Sequence, residues 1–190
     1  MKHFFKYKAH DLSGLFHGVN KLATFISRLE KQAELDPFNY PRDQYVGDGF
    51  EFFIEALLTL MPHDNRIGVS NYEPVQTNDN GCDGLGINLE GKKCAIQIKY
   101  RGNKGSVLTS GDKIAHLVTD AQFNHQIVDN PNSPIPVFYI FTTAKGLHHY
   151  TDSEFFKGRV RCLGYNEIKS LVDSNIPFWD ALRENLRSLA

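Results

Sequence analysis

In the stretch GCDGLGINLEGKKCAIQIKYRG, the residues whose types and spacing can do chemistry are Asp83, Gln97 and Lys99. Gln97 and Lys99 stand two apart, so on a β-strand they share a face. Thirteen residues separate Asp83 from Gln97, which suits a hairpin turning at Glu90-Gly91-Lys92 with the carboxylate brought beside the amide and the amine. A hard cation such as Mg²⁺, or Mn²⁺ as its substitute, takes oxygen ligands. Asp83 offers a carboxylate, Gln97 a side-chain carbonyl, and Ile98 a backbone carbonyl on the same strand. Such an ion can polarise a phosphate and activate a bound water. Lys99 can orient that water or offset charge developing on the phosphate. Ile96 and Ile98 alternate with the polar residues, and their side chains are expected in the core.

The elements that must position these residues are read from hydrophobic periodicity. Residues 45–61, YVGDGFEFFIEALLTLM, read as a helix with Phe50, Phe53, Ile54, Leu57 and Leu58 on its apolar face, stopping near Met61-Pro62. Glu51 and Glu55 lie one turn apart on it. Three β-like stretches follow, RIGVSNY, DGLGINLE and KKCAIQIKY. A helix is expected from about Ser110 to Ile127, capped by Ser110 or Asp112, and then PVFYIFTT as a buried strand. The tail reads as a short strand at RVRCLG, a helix in YNEIKSLVDS, and a last helix near Pro177 with Trp179 anchored in the core. Ahead of all these, Leu12, Leu15, Val19, Leu22, Ile26 and Leu29 form the stripe of one amphipathic helix ending near Asp36-Pro37. That stripe packs on the chain's own core or forms the seam of a homodimer. Helix, three strands, helix and strand give an α/β fold, a mixed sheet flanked by helices. The expected organisation is an N-terminal helical extension over residues 1–44, packed on a domain over residues 45–190.

The pattern D-(x13)-Q-x-K resembles the PD-(D/E)XK nuclease superfamily, specifically its Mrr-like branch, where glutamine often replaces the first acidic residue of the E-x-K element. Gly47-Asp48-Gly49-Phe50-Glu51, the phrase N-G-C-D-G-L-G and the strand VFYIFTTAKGL are similar to further parts of that pattern. The resemblance covers roughly residues 45 to 147. It implies a restriction-endonuclease-like αβββαβ core and a metal-dependent endonuclease hydrolysing phosphodiester bonds in DNA. Asp83, Gln97, Lys99 and Glu51 would be its catalytic residues, and Asp83, Gln97, Ile98 and Glu51 its metal ligands. Glu51 is preferred to Glu55 because it follows Phe50, as in the family. Two other readings stand beside this one: a DNA-binding module that keeps the nuclease fold without activity, and a junction-resolving nuclease of the same chemistry.

The chain has 190 residues, 41% of them hydrophobic, and a formal net charge of −1, so any DNA surface must be a local patch. Lys92, Lys93, Arg101, Lys104 and Lys113 are the candidates, with Arg101 and Lys104 in R-G-N-K-G closest in sequence to the presumed site. Cys82, Cys94 and Cys162 are odd in number and far apart, without a C-x-x-C pair, which points to a reducing, cytoplasmic setting. No stretch suits a membrane span or a cleaved leader. There is no G-x-x-x-x-G-K-[ST] element for an ATP-driven enzyme and no G-x-S-x-G elbow for a serine hydrolase. His148-His149 lacks the companions of a histidine-metal site. His3, His10 and His17 share a seven-residue spacing, but Gly14 interrupts it and no carboxylate joins them.

Overall fold

The computed structural model describes residues 12–35, 41–75, 81–109, 114–130, 132–148 and 159–187. Its elements run α1 (Leu12–Phe16), α2 (Leu22–Ala33), α3 (Arg42–Leu60), β1 (Val69–Pro74), β2 (Gly84–Asn88), β3 (Lys93–Lys99), α4 (Ile114–Phe123), β4 (Phe138–Thr142), β5 (Val160–Leu163), α5 (Tyr165–Val172) and α6 (Ile176–Arg187). The five strands form one mixed sheet in the order β1-β2-β3-β4-β5. β1, β2 and β3 are antiparallel neighbours, whereas β3, β4 and β5 are parallel. The tight β2–β3 connection makes the antiparallel pair, and α4 is the crossover that parallel β3 and β4 require. The fold is α/β, with helices flanking the sheet.

One N-terminal helix was expected from the apolar stripe, but the structure has two. Gly18 follows α1 at a φ of 67°, and the chain restarts as α2 at Leu22. The stripe survives the break, because Leu15, Val19, Leu22, Ile26 and Leu29 are all buried. α4 ends at Phe123 rather than Ile127, with Gln126 at a φ of 56° in the turn that follows. The expected caps Ser110 and Asp112, the Asp36-Pro37 helix end, and His3, His10 and His149 lie outside the described residues.

α3 is the central helix, and it packs against α2, α6, β1 and β3. This is why its sequence is apolar almost all round, Phe50, Phe52, Phe53, Ile54, Leu57 and Leu58 being buried together. An aromatic column ties the helices: Phe16 stacks on Phe25 with centroids 5.0 Å apart, Phe25 on Phe53 at 4.7 Å, and Phe53 lies 5.8 Å from Trp179. Trp179 is fully buried near the start of α6, and its Nε1 donates to the Val172 carbonyl at 2.8 Å. That bond satisfies the one polar group the indole brings into the core. The same continuous core includes Leu15 and Phe25 from the N-terminal helices, Ile96 and Phe138 from the sheet, and Leu182 from α6. No helix among the described residues is long and apolar enough to cross a membrane.

Candidate functional site

Strand direction gathers the polar residues at one end of the sheet. β2 starts where antiparallel β3 finishes, and β4, parallel to β3, finishes beside it. Asp83 just before β2, Gln97 and Lys99 at the end of β3, and Thr142 and Thr143 at the end of β4 therefore share one edge. Crevices at the carboxyl ends of parallel strands are common ligand sites.

Asp83 is 2% exposed and Gln97 0%, so this pair belongs to the interior and not to a wet strand face. The Asp83 N–H donates to the Ile96 carbonyl at 2.9 Å, and its carboxylate accepts the Ile98 N–H at 2.5 Å. Asp83 thus brackets Gln97 from the neighbouring strand. Gln97 Nε2 donates to the Gly81 carbonyl at 2.8 Å. A carbonyl can only accept, which fixes the amide's orientation. The other end of the amide, Oε1, is buried and has no hydrogen-bond partner among the described residues. Buried polar atoms without partners are rare.

The central helix α3 carries two carboxylates, Glu51 and Glu55. Glu55 is 3% exposed, whereas Glu51, one turn earlier, is partly exposed. Their common reporter is Tyr72 of β1, whose hydroxyl lies 3.5 Å from the Asp83 carbonyl. Burial, and then the negative charges of Glu55, Asp83 and Glu51, push the Tyr72 phenol well above its ordinary value. Tyr72 lies over β2 because position 84 is glycine; a Cβ there would stand 2.2 Å from the Tyr72 ring. Of the two glutamates, Glu55 is the more enclosed.

Lys99 is half-buried at the end of β3, paired in register with Thr142. The loop that follows is pinned to the end of β4. Thr142 Oγ1 donates to the Lys99 carbonyl at 2.7 Å, Thr143 Oγ1 donates to the Arg101 carbonyl at 2.8 Å, and the Arg101 N–H donates back to Thr143 Oγ1 at 2.5 Å. Tyr100 donates its hydroxyl to Glu30 of α2 at 2.5 Å and meets Phe50 edge-on, which locks the strand end to both helices. Lys104 holds its ammonium 5.2 Å from the centroid of the Tyr165 ring.

Of the expected DNA-binding residues, Arg101 and Lys104 thus sit at the Asp83 end of the sheet. Lys92 and Lys93 sit at the opposite end of β3, roughly 20 Å away at about 3.3 Å per residue. There Lys92 pairs with Glu90 at 2.7 Å, and Lys93 donates to the His125 carbonyl at 3.3 Å. Lys113 lies outside the described residues. The Ile98 side chain is 4% exposed, in the core as its alternation with Gln97 required.

Tyr72, Thr142 and Thr143 were not singled out from sequence as site residues. Tyr72 precedes Asp83 by eleven residues and reaches it only through β1–β2 pairing, so no local spacing signals it. The threonine pair had a signal, since two adjacent hydroxyls closing an apolar strand must find partners when buried. No family model, no curated protein and no solved structure matches the chain.

Proposed function

We propose that the chain is a Mg²⁺-dependent endonuclease of restriction-endonuclease-like fold, hydrolysing phosphodiester bonds in DNA, with Mn²⁺ as substitute ion. The observation that carries this reading is the Gln97 amide oxygen, fully buried and without a partner among the described residues, on the strand clasped by Asp83. Leaving such an atom unsatisfied costs about 1–3 kcal/mol. A cation shared with Asp83 would offset that cost. The donors fit a hard ion: the Asp83 carboxylate, the Gln97 carbonyl, and a carboxylate from Glu51 or Glu55. The α-β-β-β-α-β order from α3 to β4 supports the fold assignment.

A bound ion would supply Lewis acidity and a more acidic water. The chain's own residues do the rest. Asp83 and Glu51 or Glu55 bring negative charge to hold the ion. Lys99, at the strand end, orients the attacking water and offsets charge on the scissile phosphate. Arg101 and Lys104, on the loop pinned to β4, grip the flanking backbone.

A second reading draws on the Asp83–Ile98 and Gln97–Gly81 hydrogen bonds. Both are contacts that a purely structural clip would make, as in a DNA-binding module without activity. Incubation with supercoiled, linear, methylated and branched DNA in Mg²⁺ and Mn²⁺ separates the two. Products that chelation abolishes support the nuclease. DNA binding without cleavage under every condition supports the inactive module, and cleavage confined to branched DNA identifies a junction-resolving enzyme.

A further inference from the structure

A second group of metal-binding side chains lies one residue from Asp83. Cys82 Sγ, an Asp120 carboxylate oxygen and a His125 ring nitrogen all stand within 4.8 Å of one another. Cys82 precedes β2, Asp120 is on α4 and His125 follows that helix. The chain entering β2 runs directly on the α4 backbone, since a Cβ at Gly81 would stand 2.9 Å from the His116 carbonyl carbon. This close approach delivers the thiol to Asp120.

We propose that Cys82, Asp120 and His125 bind one Zn²⁺ ion, with water in the fourth position, clamping the chain beside Asp83 to α4. The separations favour this. Asp120 Oδ2 and His125 Nε2 are 3.9 Å apart, too far for a hydrogen bond. Ligand atoms around a tetrahedral Zn²⁺ lie roughly 3.3–3.8 Å from each other, so the cluster closes on an ion by contracting about 1 Å. Asp120 is already oriented, because Asn124 Nδ2 donates to its Oδ1 at 2.5 Å and leaves Oδ2 on the His125 side. Cys82 and Asp120 are buried, whereas the His125 side chain is 18% exposed, which gives the ion a route in.

Thiolate, imidazole and carboxylate together select zinc over magnesium. The Cys82 S–H that now points to the Gly84 carbonyl at 3.1 Å would release its proton to solvent on coordination. Spacing could not reveal this site. Cys82 is far in sequence from Asp120 and His125, and those two are five apart across a helix end. The proposal stands independently of the nuclease reading.

The test is a titration of chelator-stripped protein with Zn²⁺ by calorimetry and with Co²⁺ by absorption, both in excess Mg²⁺. Expected are one Zn²⁺ per chain, a thiolate-to-cobalt charge-transfer band that Zn²⁺ removes, and a melting temperature raised by about 5–10 °C at a hundredfold excess over Kd. Cys82→Ser should lose the band and His125→Gln should weaken zinc at least tenfold, while Cys94→Ser keeps both. If Cys82→Ser does not fold, His125→Gln and the wild-type spectrum decide. Wild-type protein without a charge-transfer band overturns the proposal, as does full-strength zinc binding in His125→Gln.

Discussion

The Asp83 carboxylate accepts the Ile98 backbone N–H at 2.5 Å and so clasps the peptide that joins Gln97 to Ile98. This makes Asp83 a structural partner as well as the proposed metal ligand, and two substitutions separate the roles. Asp83→Ala leaves a buried N–H unsatisfied and should destabilise the protein by about 1–3 kcal/mol. Asp83→Asn keeps an acceptor but removes the charge. It should fold with a near-native melting temperature and lose cleavage. Lys99→Ala, at a half-buried strand end, should also keep the fold and lose roughly 10²-fold or more in rate. Retained cleavage in either Asp83→Asn or Lys99→Ala would remove these residues from the chemistry.

The two ends of β3 should behave differently toward DNA. Arg101 and Lys104 share the Asp83 end of the sheet, and Lys92 and Lys93 the other. Arg101→Ala and Lys104→Ala should each weaken binding across sequences and reduce the slope of log affinity against log salt by about 1. Lys92→Ala and Lys93→Ala should leave that slope unchanged. Fluorescence anisotropy at several salt concentrations reads the difference, and equal slopes for all four variants would refute the placement.

Trp179 joins α6 to the aromatic column through Phe53 and to the end of α5 through its indole N–H. Trp179→Ala should cost about 3–5 kcal/mol in a urea unfolding experiment. A loss below about 1 kcal/mol would mean that α6 is not part of the cooperative core.

Stability should fall at alkaline pH. Burial pushes the Cys94 and Cys162 thiols up to about 12 from an ordinary 9.0, and burial pushes the Tyr139 phenol up to about 12 from 10.0. The folded state holds these protons more tightly than the unfolded state. Their contribution is therefore complete below about pH 9 and is lost as pH rises from there toward 12. Melting temperatures should be level between about pH 7 and 8.5 and fall steadily above it. A level profile to about pH 10.5 would show that these groups titrate normally.

Much of the fold was legible because it rests on local periodicity. The α3 stripe, the alternation in AIQIK and the apolar run FYIFT each declare their element, and β3 and β4 appear where those runs lie. The break between α1 and α2 was missed because Val19 and Leu22 continue the apolar spacing across Gly18, whose positive φ only the structure displays. The site was half legible. Asp83, Gln97 and Lys99 are neighbours through one hairpin, so their spacing encodes their meeting. The depth of Gln97 was not encoded. A glutamine alternating with isoleucines reads as the wet side of a strand, yet a helix-covered central strand buries both faces. Tyr72 reaches Asp83 only by strand pairing across β1 and β2, which no local pattern records.

The central claim is that Asp83 and Gln97 hold a divalent cation, and calorimetry with catalytically silent Ca²⁺ tests it most directly. Wild-type protein should bind Ca²⁺, and Asp83→Asn should lose most of that affinity because it removes the charged ligand. Gln97→Glu should bind Ca²⁺ more tightly than wild type, and Gln97→Ala should lose less than Asp83→Asn does. Gln97→Glu should also be less stable than wild type without the ion, since it buries a second carboxylate beside Asp83, and should recover when Ca²⁺ is added. Ca²⁺ affinity unchanged in both Asp83→Asn and Gln97→Glu would contradict the account and leave the hairpin a buried structural clip.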